Sequence, residues 1–323
     1  MKAVLVDHDK KLNWADVPDP VIKSDEVLVR VQAAGVNRAD LMQRNGQYPP
    51  PPGWPAWMGL EVAGVIEAIG DEAHAESSYR VGDRVCALLG GGGYAEFVAV
   101  PYQLLMPVPA WLSTEEAAAV PEVYATAHLN LFGEGQLRNG ETLLVHAAAS
   151  GVGIAATQLA HAAGARVIAT VRSDEKADAI RQHGAALVVN SSKVDVRDIF
   201  ASNEINVVLD CVGGRLMGDC FASMARFGRW IVIATLAGDV TQLDLKTLFV
   251  KRLKLIGSTL RSRTVTEKAA VLSRLVSDVY PAFDRNTFRP VLHKILPIAE
   301  VEAAHEILAR NENIGKVVLR VGS

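Results

Sequence analysis

The chain has 323 residues, which exceeds one ordinary hydrophobic core and suits two domains. Half of the residues are hydrophobic, 21% are charged and the net charge is -3. This composition indicates a globular chain and excludes a basic footprint for nucleic acid or anionic lipid. The three cysteines, Cys86, Cys211 and Cys220, are too few for a disulfide framework or a four-cysteine zinc site. Charged residues stand where a signal peptide needs an apolar run, so we expect a cytoplasmic protein without a membrane partner.

The first third of the chain is predicted to form short strands separated by turns. The candidate strands are residues 2–6, 26–33, 61–69 and 94–100. Tyr48 precedes four prolines and Gly53, a run that predicts a stiff extended loop because proline has no backbone donor. Strands at this spacing indicate a small β-barrel-like domain.

The pattern changes near residue 113, where Ser113 and Glu116 form a capping box that opens a helix. Beyond it, apolar strands alternate with helices, as in a doubly wound α/β sheet. The candidate strands are residues 142–147, 166–171, 187–190, 206–211, 229–235 and 253–258. A helix over 299–310 and a strand over 316–321 are expected to return to the first domain. The predicted domains are 1–118 with 289–323, and 119–288.

The segment LLVHAAASGVGIAATQLA, residues 143–160, predicts a strand, a turn of small residues and a helix. Such a turn presents backbone N–H groups to a pyrophosphate. In the G-x-G-x-x-G template the three glycine positions are Ala148, Ser150 and Gly153, so only one glycine is kept. The alternative is a plain β–α turn. We predict cofactor contacts from Ala149, Ser150, Gly151, Val152 and Gly153.

The end of the next strand bears on the choice of cofactor. Arg172, Ser173 and Lys176 follow it, and basic or small polar groups at this place suit the 2′-phosphate of NADPH. Asp174 and Glu175 complicate the pattern and are assigned to the first helical turn, where acids suit the helix dipole. The alternative is a solvated charged surface.

Two later loops follow predicted parallel strands, whose carboxyl ends face the ligand crevice in this architecture. We predict cofactor contacts from Cys211, Val212 and Gly213 in one loop and from Ala234 and Thr235 in the other. No pair of histidines has the spacing of a zinc motif.

Seven segments in order along the chain carry a family resemblance: AAGVNRADLMQRNGQYPPPPG (33–53), GLEVAGVI (59–66), LLGGGGYAEFVAVP (88–101), HAAASGVGIAATQLA (146–160), LDCVGG (209–214), LRSR (260–263) and NIGKVVL (313–319). With them the chain resembles the zinc-free quinone oxidoreductases of the medium-chain dehydrogenase/reductase superfamily. It is most similar to the stress-inducible branch of the zeta-crystallin-like group.

The resemblance implies a Rossmann domain inserted into a GroES-like domain, with cofactor and substrate in the crevice between them. Zinc-dependent relatives carry a cysteine and a histidine ligand where this chain has Asn37 and Leu60, so we expect no bound metal. It also implies that Asn37, Tyr48 and Thr126 face the substrate or nicotinamide.

The same resemblance adds four residues to the cofactor contacts, and these are Leu260, Arg261, Asn313 and Lys316. It further implies a homodimer, for which a sheet edge near residues 253–258 could pair across a two-fold axis.

The expected function is metal-free reduction of quinones or related electrophilic enones by NADPH, with no dedicated strong acid. Two alternatives stay open. One is reduction of another activated double bond, such as an enoyl thioester. The other is a non-enzymatic NADPH-binding protein with a structural, sensory or RNA-binding role, although the acidic net charge argues against RNA.

Overall fold

The computed structural model describes residues 1–284 and 289–322. Its contacts divide the chain into unit 1, Met1–Ala125 with Leu260–Ser323, and unit 2, Thr126–Thr259. The predicted second domain, 119–288, included residues 119–125 and 260–284. In the structure both of these segments belong to unit 1. The second predicted boundary, after residue 288, falls on residues outside the described part of the chain, as does Ser323.

Unit 1 contains two sheets built from both ends of the chain. Its strands are β1 (Lys2–Val6), β2 (Leu12–Asp16), β3 (Glu26–Val36), β4 (Glu61–Ile69), β5 (Arg84–Leu88), β6 (Phe97–Pro101), β7 (Leu105–Pro107), β14 (Leu292–Pro297) and β15 (Lys316–Arg320). β1 and β2 form a hairpin, and the larger sheet has the order β14-β15-β3-β4-β5-β7, with β6 also paired to β3. The predicted return of the last strand is therefore confirmed, since β15 runs antiparallel to β3.

Unit 2 contains one parallel sheet of six strands. They are β8 (Thr142–Val145), β9 (Arg166–Val171), β10 (Leu187–Asn190), β11 (Val207–Asp210), β12 (Arg229–Val232) and β13 (Lys254–Gly257), in the order β10-β9-β8-β11-β12-β13. All six predicted strands are confirmed, although β8 and β12 end earlier than predicted. This order, with helices between the strands, is that of a Rossmann fold.

The helices of the described chain complete the two units. They are α1 (Arg38–Arg44), α2 (Asp71–Glu76), α3 (Thr114–Ala117), α4 (Pro121–His128), α5 (Gly151–Ala162), α6 (Asp174–Arg181), α7 (Val196–Ser202), α8 (Gly214–Phe221), α9 (Leu245–Lys251), α10 (Val265–Asp284) and α11 (Val301–Ala309). A π-helical segment, Leu129–Glu134, follows α4. Within the described ranges, no helix has the length and apolar character needed to cross a membrane.

The core of unit 2 forms because the strands are apolar along their whole length. Leu144, Ile168 and Val208 are fully shielded from solvent and pack with Trp230, whose ring stacks on Phe200 with centroids 5.7 Å apart. Aliphatic side chains on both faces of a parallel sheet require helices on both sides.

The long helix α10 belongs to unit 1 because its aromatic side chains pack against residues of Met1–Ala125. The hydroxyl of Tyr280 donates to the Pro107 carbonyl at 2.9 Å. The ring of Phe283 meets the rings of Tyr124 and Trp111 edge-on, with centroids 5.3 and 5.9 Å apart. This packing accounts for the assignment of residues 260–284.

Candidate active site

The turn from β8 to α5 has the tight geometry of a dinucleotide-binding turn. Ala147 lies in the left-handed region, with a φ of 51°. A Cβ added to Gly153 would lie 2.6 Å from both the Ala147 carbonyl oxygen and the Ala148 Cα, so a glycine is required there. Ser150 is the N-cap of α5, and its hydroxyl accepts from the Gly153 N–H at 3.0 Å.

The first turn of α5 retains donors that an anion could use. The first N–H groups of a helix have no partner within the helix. Ser150 satisfies that of Gly153, which leaves the N–H groups of Gly151 and Val152 for a pyrophosphate. The Ser150 hydroxyl therefore occupies one backbone N–H group of the first turn of α5. Ala149, the residue before it, adds only a methyl group beside the backbone.

The end of β9 carries an exposed arginine. Among the described residues, the Arg172 guanidinium makes no recorded hydrogen bond or ion pair. Ser173 caps α6, and its hydroxyl accepts from the Lys176 N–H at 3.4 Å. Asp174 accepts hydrogen bonds from Asn190 and Lys193, which lower the pKa of its carboxyl. The acid that complicated the sequence pattern is therefore already engaged by its neighbours.

The loops after β11 and β12 lie side by side, as the sequence topology predicts. The Leu236 N–H donates to the Cys211 carbonyl at 3.1 Å, and the Ala237 N–H donates to the Val212 carbonyl at 2.8 Å. Gly213 is left-handed, with a φ of 65°. Ala234 and Thr235 precede this contact, and the Thr235 hydroxyl donates to Asp239.

A buried carboxylate that the sequence analysis did not single out fixes the first of these loops. Asp210 ends β11, and its Oδ1 accepts from the N–H groups of Val212 and Gly213 at 2.7 and 3.1 Å. Its Oδ2 accepts from the Trp230 indole N–H at 2.8 Å. Three donors satisfy the buried charge and hold the loop in one conformation.

In unit 1, a buried ammonium group organises a polar cluster. Lys316 Nζ donates to the Val36 carbonyl at 2.7 Å and to Asn37 Oδ1 at 2.7 Å, and it lies 2.5 Å from Glu61 Oε1. Asn37 Nδ2 donates to Glu61 Oε1 at 3.0 Å and to the Gly35 carbonyl at 3.3 Å. We call Lys316, Glu61 and Asn37 the lysine cluster.

A second buried acid fixes the start of α1 beside this cluster. Asp40 accepts from the Asn37 N–H at 2.8 Å, the Tyr94 hydroxyl at 2.9 Å and the Gly59 N–H at 3.2 Å. Burial raises the pKa of Asp40 to about 6, although these hydrogen bonds and the charge of Lys316 oppose the rise.

The donor set at this place does not fit a zinc ion. Asn37 and Leu60, which the sequence resemblance puts at zinc-ligand positions, are not soft ligands. An ammonium group already lies against Glu61. Within residues 1–284 and 289–322, no group of three or more His, Cys, Asp or Glu side chains could hold a metal ion.

Arg261 is buried and holds the loop that carries Tyr48. Its Nε donates to the Gly90 carbonyl at 2.8 Å, its Nη1 to the Tyr48 carbonyl at 3.0 Å and its Nη2 to Gln43 Oε1 at 2.6 Å. The guanidinium carbon also lies 4.8 Å from the centroid of the Tyr48 ring. The Tyr48 hydroxyl makes no recorded hydrogen bond with a described residue.

The Lys316 ammonium and three of the Arg261 N–H groups are engaged as described, which gives both residues a positioning role, and their contact with the cofactor stays a prediction. Leu260 is a buried apolar residue. The Asn313 side-chain amide donates to the Gly315 carbonyl at 2.8 Å and closes the turn before β15.

The structure shows hydrogen bonds at two of the three predicted catalytic residues, Asn37 and Thr126. The Asn37 amide donates to Glu61 Oε1 and to the Gly35 carbonyl, and its expected place facing the substrate or nicotinamide stays a prediction. Thr126 is the first residue of unit 2, and its carbonyl accepts from Asn130 Nδ2 at 2.7 Å.

Glu122 and Lys268 are two further charged residues that the sequence analysis did not identify. The Glu122 N–H donates to Glu61 Oε2 at 2.8 Å, while its own Oε2 is buried and has no hydrogen-bond partner. Lys268 Nζ lies 5.7 Å from the centroid of the Trp54 ring, and burial lowers the pKa of this lysine. An acid in the first turn of a helix resembles an ordinary dipole contact, so sequence gives no separate signal for Glu122.

Comparisons with known proteins agree with this organisation. Residues 23–110 match the alcohol dehydrogenase GroES-like domain, and residues 151–277 match the zinc-binding dehydrogenase family. A quinone oxidoreductase of Pseudomonas aeruginosa is 34% identical, over 91% of this chain and 90% of the relative. The quinone oxidoreductase of Mus musculus is 30% identical, over 94% of this chain and 92% of the relative.

A solved structure extends the likeness to three dimensions. The quinone oxidoreductase of Thermus thermophilus, described together with its NADPH complex, has a TM-score of 0.84 and 33% identity, covering 99% of this chain and 100% of that chain. One explanation accounts for the order of the six-stranded sheet, the tight turn at Gly153 and the two family matches. The chain belongs to the medium-chain dehydrogenase/reductase superfamily of oxidoreductases, with a GroES-like part and a Rossmann sheet.

Proposed function

We propose that the protein reduces quinones or related electrophilic enones with NADPH and without a metal. The observation that carries the proposal is the lysine cluster, in which Lys316 places a fixed ammonium beside Glu61 and Asn37, the latter a residue that the sequence resemblance puts at a zinc-ligand position. A chain with a dinucleotide turn and no soft ligand set suits substrates that need no Lewis acid. A quinone is such a substrate, because its reduced oxygen is a much weaker base than a simple alkoxide.

Unit 2 supplies the groups that would hold NADPH. The N–H groups of Gly151 and Val152 suit the pyrophosphate, and Arg172 with Ser173 and Lys176 suits the 2′-phosphate. The loops at 211–213 and 234–235 are proposed to line the nicotinamide ribose. When bound, NADPH supplies a hydride.

Unit 1 supplies the groups proposed for the substrate. The Tyr48 hydroxyl can donate a hydrogen bond to a developing oxyanion, and Arg261 fixes the backbone of Tyr48. Asn37 holds the lysine cluster together through its hydrogen bonds to Lys316 and Glu61. Thr126 is proposed to contact the nicotinamide or the substrate.

The test is steady-state kcat/KM with NADPH and NADH over a panel of quinones, enones, enoyl thioesters and primary alcohols. We expect quinones and enones to be turned over with NADPH and alcohols to be inert. Turnover of enoyl thioesters alone would identify the alternative enzyme, and binding of NADPH with no turnover would favour the non-enzymatic alternative. Rapid oxidation of ethanol would contradict the proposed reaction class.

The Tyr48 hydroxyl is tested by Tyr48→Phe, with Tyr102→Phe as a matched loss of a hydroxyl in the same unit. Loss of a main oxyanion donor costs on the order of 10²–10³ in rate, and we expect roughly tenfold here because the reduced product is intrinsically stable. NADPH affinity should be unchanged in both variants. Equal activity of Tyr48→Phe and wild type would exclude Tyr48 from this role.

A further inference from the structure

We propose that Glu122 is the proton donor of the reaction, a general acid that neutralises the oxygen of the reduced substrate. This inference rests on the proposed function, because it needs a substrate whose oxygen gains negative charge. It adds a catalytic group to the hydrogen-bond donor Tyr48, and the group lies in the first turn of α4.

The geometry around Glu122 identifies an acid with unused hydrogen-bonding capacity. Its backbone N–H is committed to Glu61 Oε2 at 2.8 Å, which fixes the residue against the lysine cluster. The side-chain Oε2 is buried, yet no described residue donates to it or accepts from it. Buried polar atoms normally have partners, and an exception at a functional site points to a ligand that completes the set. The residue as a whole is partly exposed, although its Oε2 is buried.

Burial keeps the Glu122 carboxyl in its acid form, and the ionisable groups around it act in both directions. These groups are Glu61, Asp40, Lys316, Lys268, Tyr48 and Arg261. Burial raises the pKa of Glu122 to about 8, and the negative charge of Glu61 adds to the rise, while Lys316 and Lys268 oppose it. A carboxylic acid with this pKa is protonated at neutral pH and can still release its proton readily.

The charge of Glu122 acts on Tyr48, the residue proposed to donate a hydrogen bond to the substrate oxygen. Burial, followed by the negative charge of Glu122, raises the pKa of the Tyr48 phenol. The two groups therefore influence each other, and only Glu122 is suited to lose a proton near neutral pH. Tyr48 would orient the substrate oxygen while Glu122 supplies the proton.

The proposed step balances in atoms and electrons. A quinone that accepts one hydride, which NADPH supplies, gains two electrons and one proton and becomes a hydroquinone monoanion. The O–H bond of Glu122 breaks and a new O–H bond forms on the substrate oxygen, leaving a carboxylate. Solvent then returns a proton to Glu122, and the overall products are hydroquinone and NADP⁺.

The pH dependence of kcat/KM tests this role. The acid form is present below the pKa of about 8 and is lost above it, so wild-type kcat/KM should fall about tenfold per pH unit above that value. Glu122→Gln should lower kcat/KM at pH 7 by roughly 10²-fold and abolish the fall. Lys268→Met should move the fall to higher pH, because an opposing positive charge is removed.

Two further measurements separate chemistry from structure. Glu115→Gln, in the same unit and paired with Arg320, is the control and should keep the wild-type profile. Infrared difference spectroscopy of the protein without cofactor should show a protonated carboxyl at pH 7 that disappears in Glu122→Gln. NADPH affinity and thermal stability should be the same in wild type and Glu122→Gln.

The outcomes distinguish this inference from the proposed function. If the wild-type chain reduces quinones and Glu122→Gln keeps both its rate and its pH profile, Glu122 is not the proton donor and the proposed function still stands. If the wild-type chain reduces no quinone or enone, both are overturned. A Glu122 carboxyl that is ionised at pH 7 by infrared measurement would overturn the inference regardless of activity.

Discussion

Lys316 is a buried lysine whose three donors are all used, and this makes it sensitive to substitution. Lys316→Met would leave the Glu61 carboxylate buried without its cation. Breaking one side of a buried ion pair costs about 3–5 kcal/mol, so we expect the free energy of unfolding to fall by that amount. Chemical denaturation monitored by fluorescence measures it.

Two companion variants make the Lys316 result specific. Arg310→Met removes an exposed pair with Glu306 and should cost at most about 1 kcal/mol. Adding Glu61→Gln to Lys316→Met should recover part of the loss, because the uncompensated charge is gone. A Lys316→Met protein as stable as wild type would show that the ammonium contributes little.

The same cluster predicts the metal content of the purified protein. Asn37 and Leu60 offer no soft ligand, and the Lys316 charge repels a divalent cation from Glu61. We expect elemental analysis to find no stoichiometric zinc in protein produced with zinc in the medium, and chelators to leave activity unchanged. Zinc bound at equal stoichiometry and removed together with activity would contradict this.

Arg172 and Lys176 allow a test of cofactor choice. A charged side chain bonded to a phosphate contributes about 1.5–3 kcal/mol, so Arg172→Ala combined with Lys176→Ala should raise the Kd for NADPH by on the order of 10²-fold. The Kd for NADH should barely change, because NADH lacks the phosphate. The control is Arg181→Ala, on the same helix as Lys176. Arg181 pairs with Asp178, so this variant also removes a positive charge from the helix, but not one that is proposed to bind the phosphate. Parallel losses for both cofactors would refute the assignment.

The turn between β8 and α5 leaves no room for a side chain at Gly153. Gly153→Ala would place a Cβ 2.6 Å from backbone atoms of Ala147 and Ala148, which cannot yield as a flexible side chain can. We expect the free energy of unfolding to fall by about 1–3 kcal/mol and NADPH affinity to fall with it.

The matched control for this turn is Gly133→Ala. Its added Cβ would meet only Leu129 Cδ1, at 3.4 Å, so stability and NADPH affinity should change little. Calorimetric titration with NADPH measures both variants. Equal affinity in Gly153→Ala and wild type would show that the turn does not need its glycine.

Elements that are specified by consecutive residues could be predicted from the sequence. The strands of unit 2 are uninterrupted apolar runs, and Ser113 and Glu116 form the predicted capping box at the start of α3. The turn at Gly153 could be identified although Ala148 and Ser150 replace template glycines, because strand, turn and helix follow one another directly.

The side-chain partners of buried charges in distant segments could not be predicted. Lys316 lies 279 residues from Asn37, and nothing local to NIGKVVL shows that its ammonium points into a polar cluster. Arg261 is similarly remote from Tyr48, and a basic residue in a loop resembles a phosphate ligand. The partners of a buried charge are set by tertiary packing, which a single sequence does not reveal.

For the whole molecule, we propose that unit 2 pairs with a second copy of the chain. β13 is an edge strand, and none of the residues of α9 is buried. Large apolar side chains of β13, α9 and the loop before α9 are exposed: Leu236, Val240, Leu245, Phe249, Val250 and Leu255. An uncovered apolar edge of this kind is typical of an interface.

Light scattering with size-exclusion chromatography tests the pairing. The wild-type chain should elute at twice its monomer mass, and Phe249→Lys with Val250→Lys should shift it to the monomer, because buried charge without a partner disfavours the interface. Val21→Lys, a substitution at an exposed apolar residue of unit 1, is the control and should stay dimeric. A wild-type monomer at high concentration would contradict the proposal.

The split of unit 1 between the two chain ends has a consequence for the order of folding during synthesis. Unit 2 is continuous, so its sheet can form once residue 259 has left the ribosome. The edge of β3 that pairs with β15 must wait for that strand, and until then Glu61 has no ammonium to pair with. Pairing across so many residues carries a large loop-closure cost and is slow. The nascent chain therefore holds a finished nucleotide-binding unit beside an unfinished one, and exposed strands of the unfinished part are what a chaperone would encounter first.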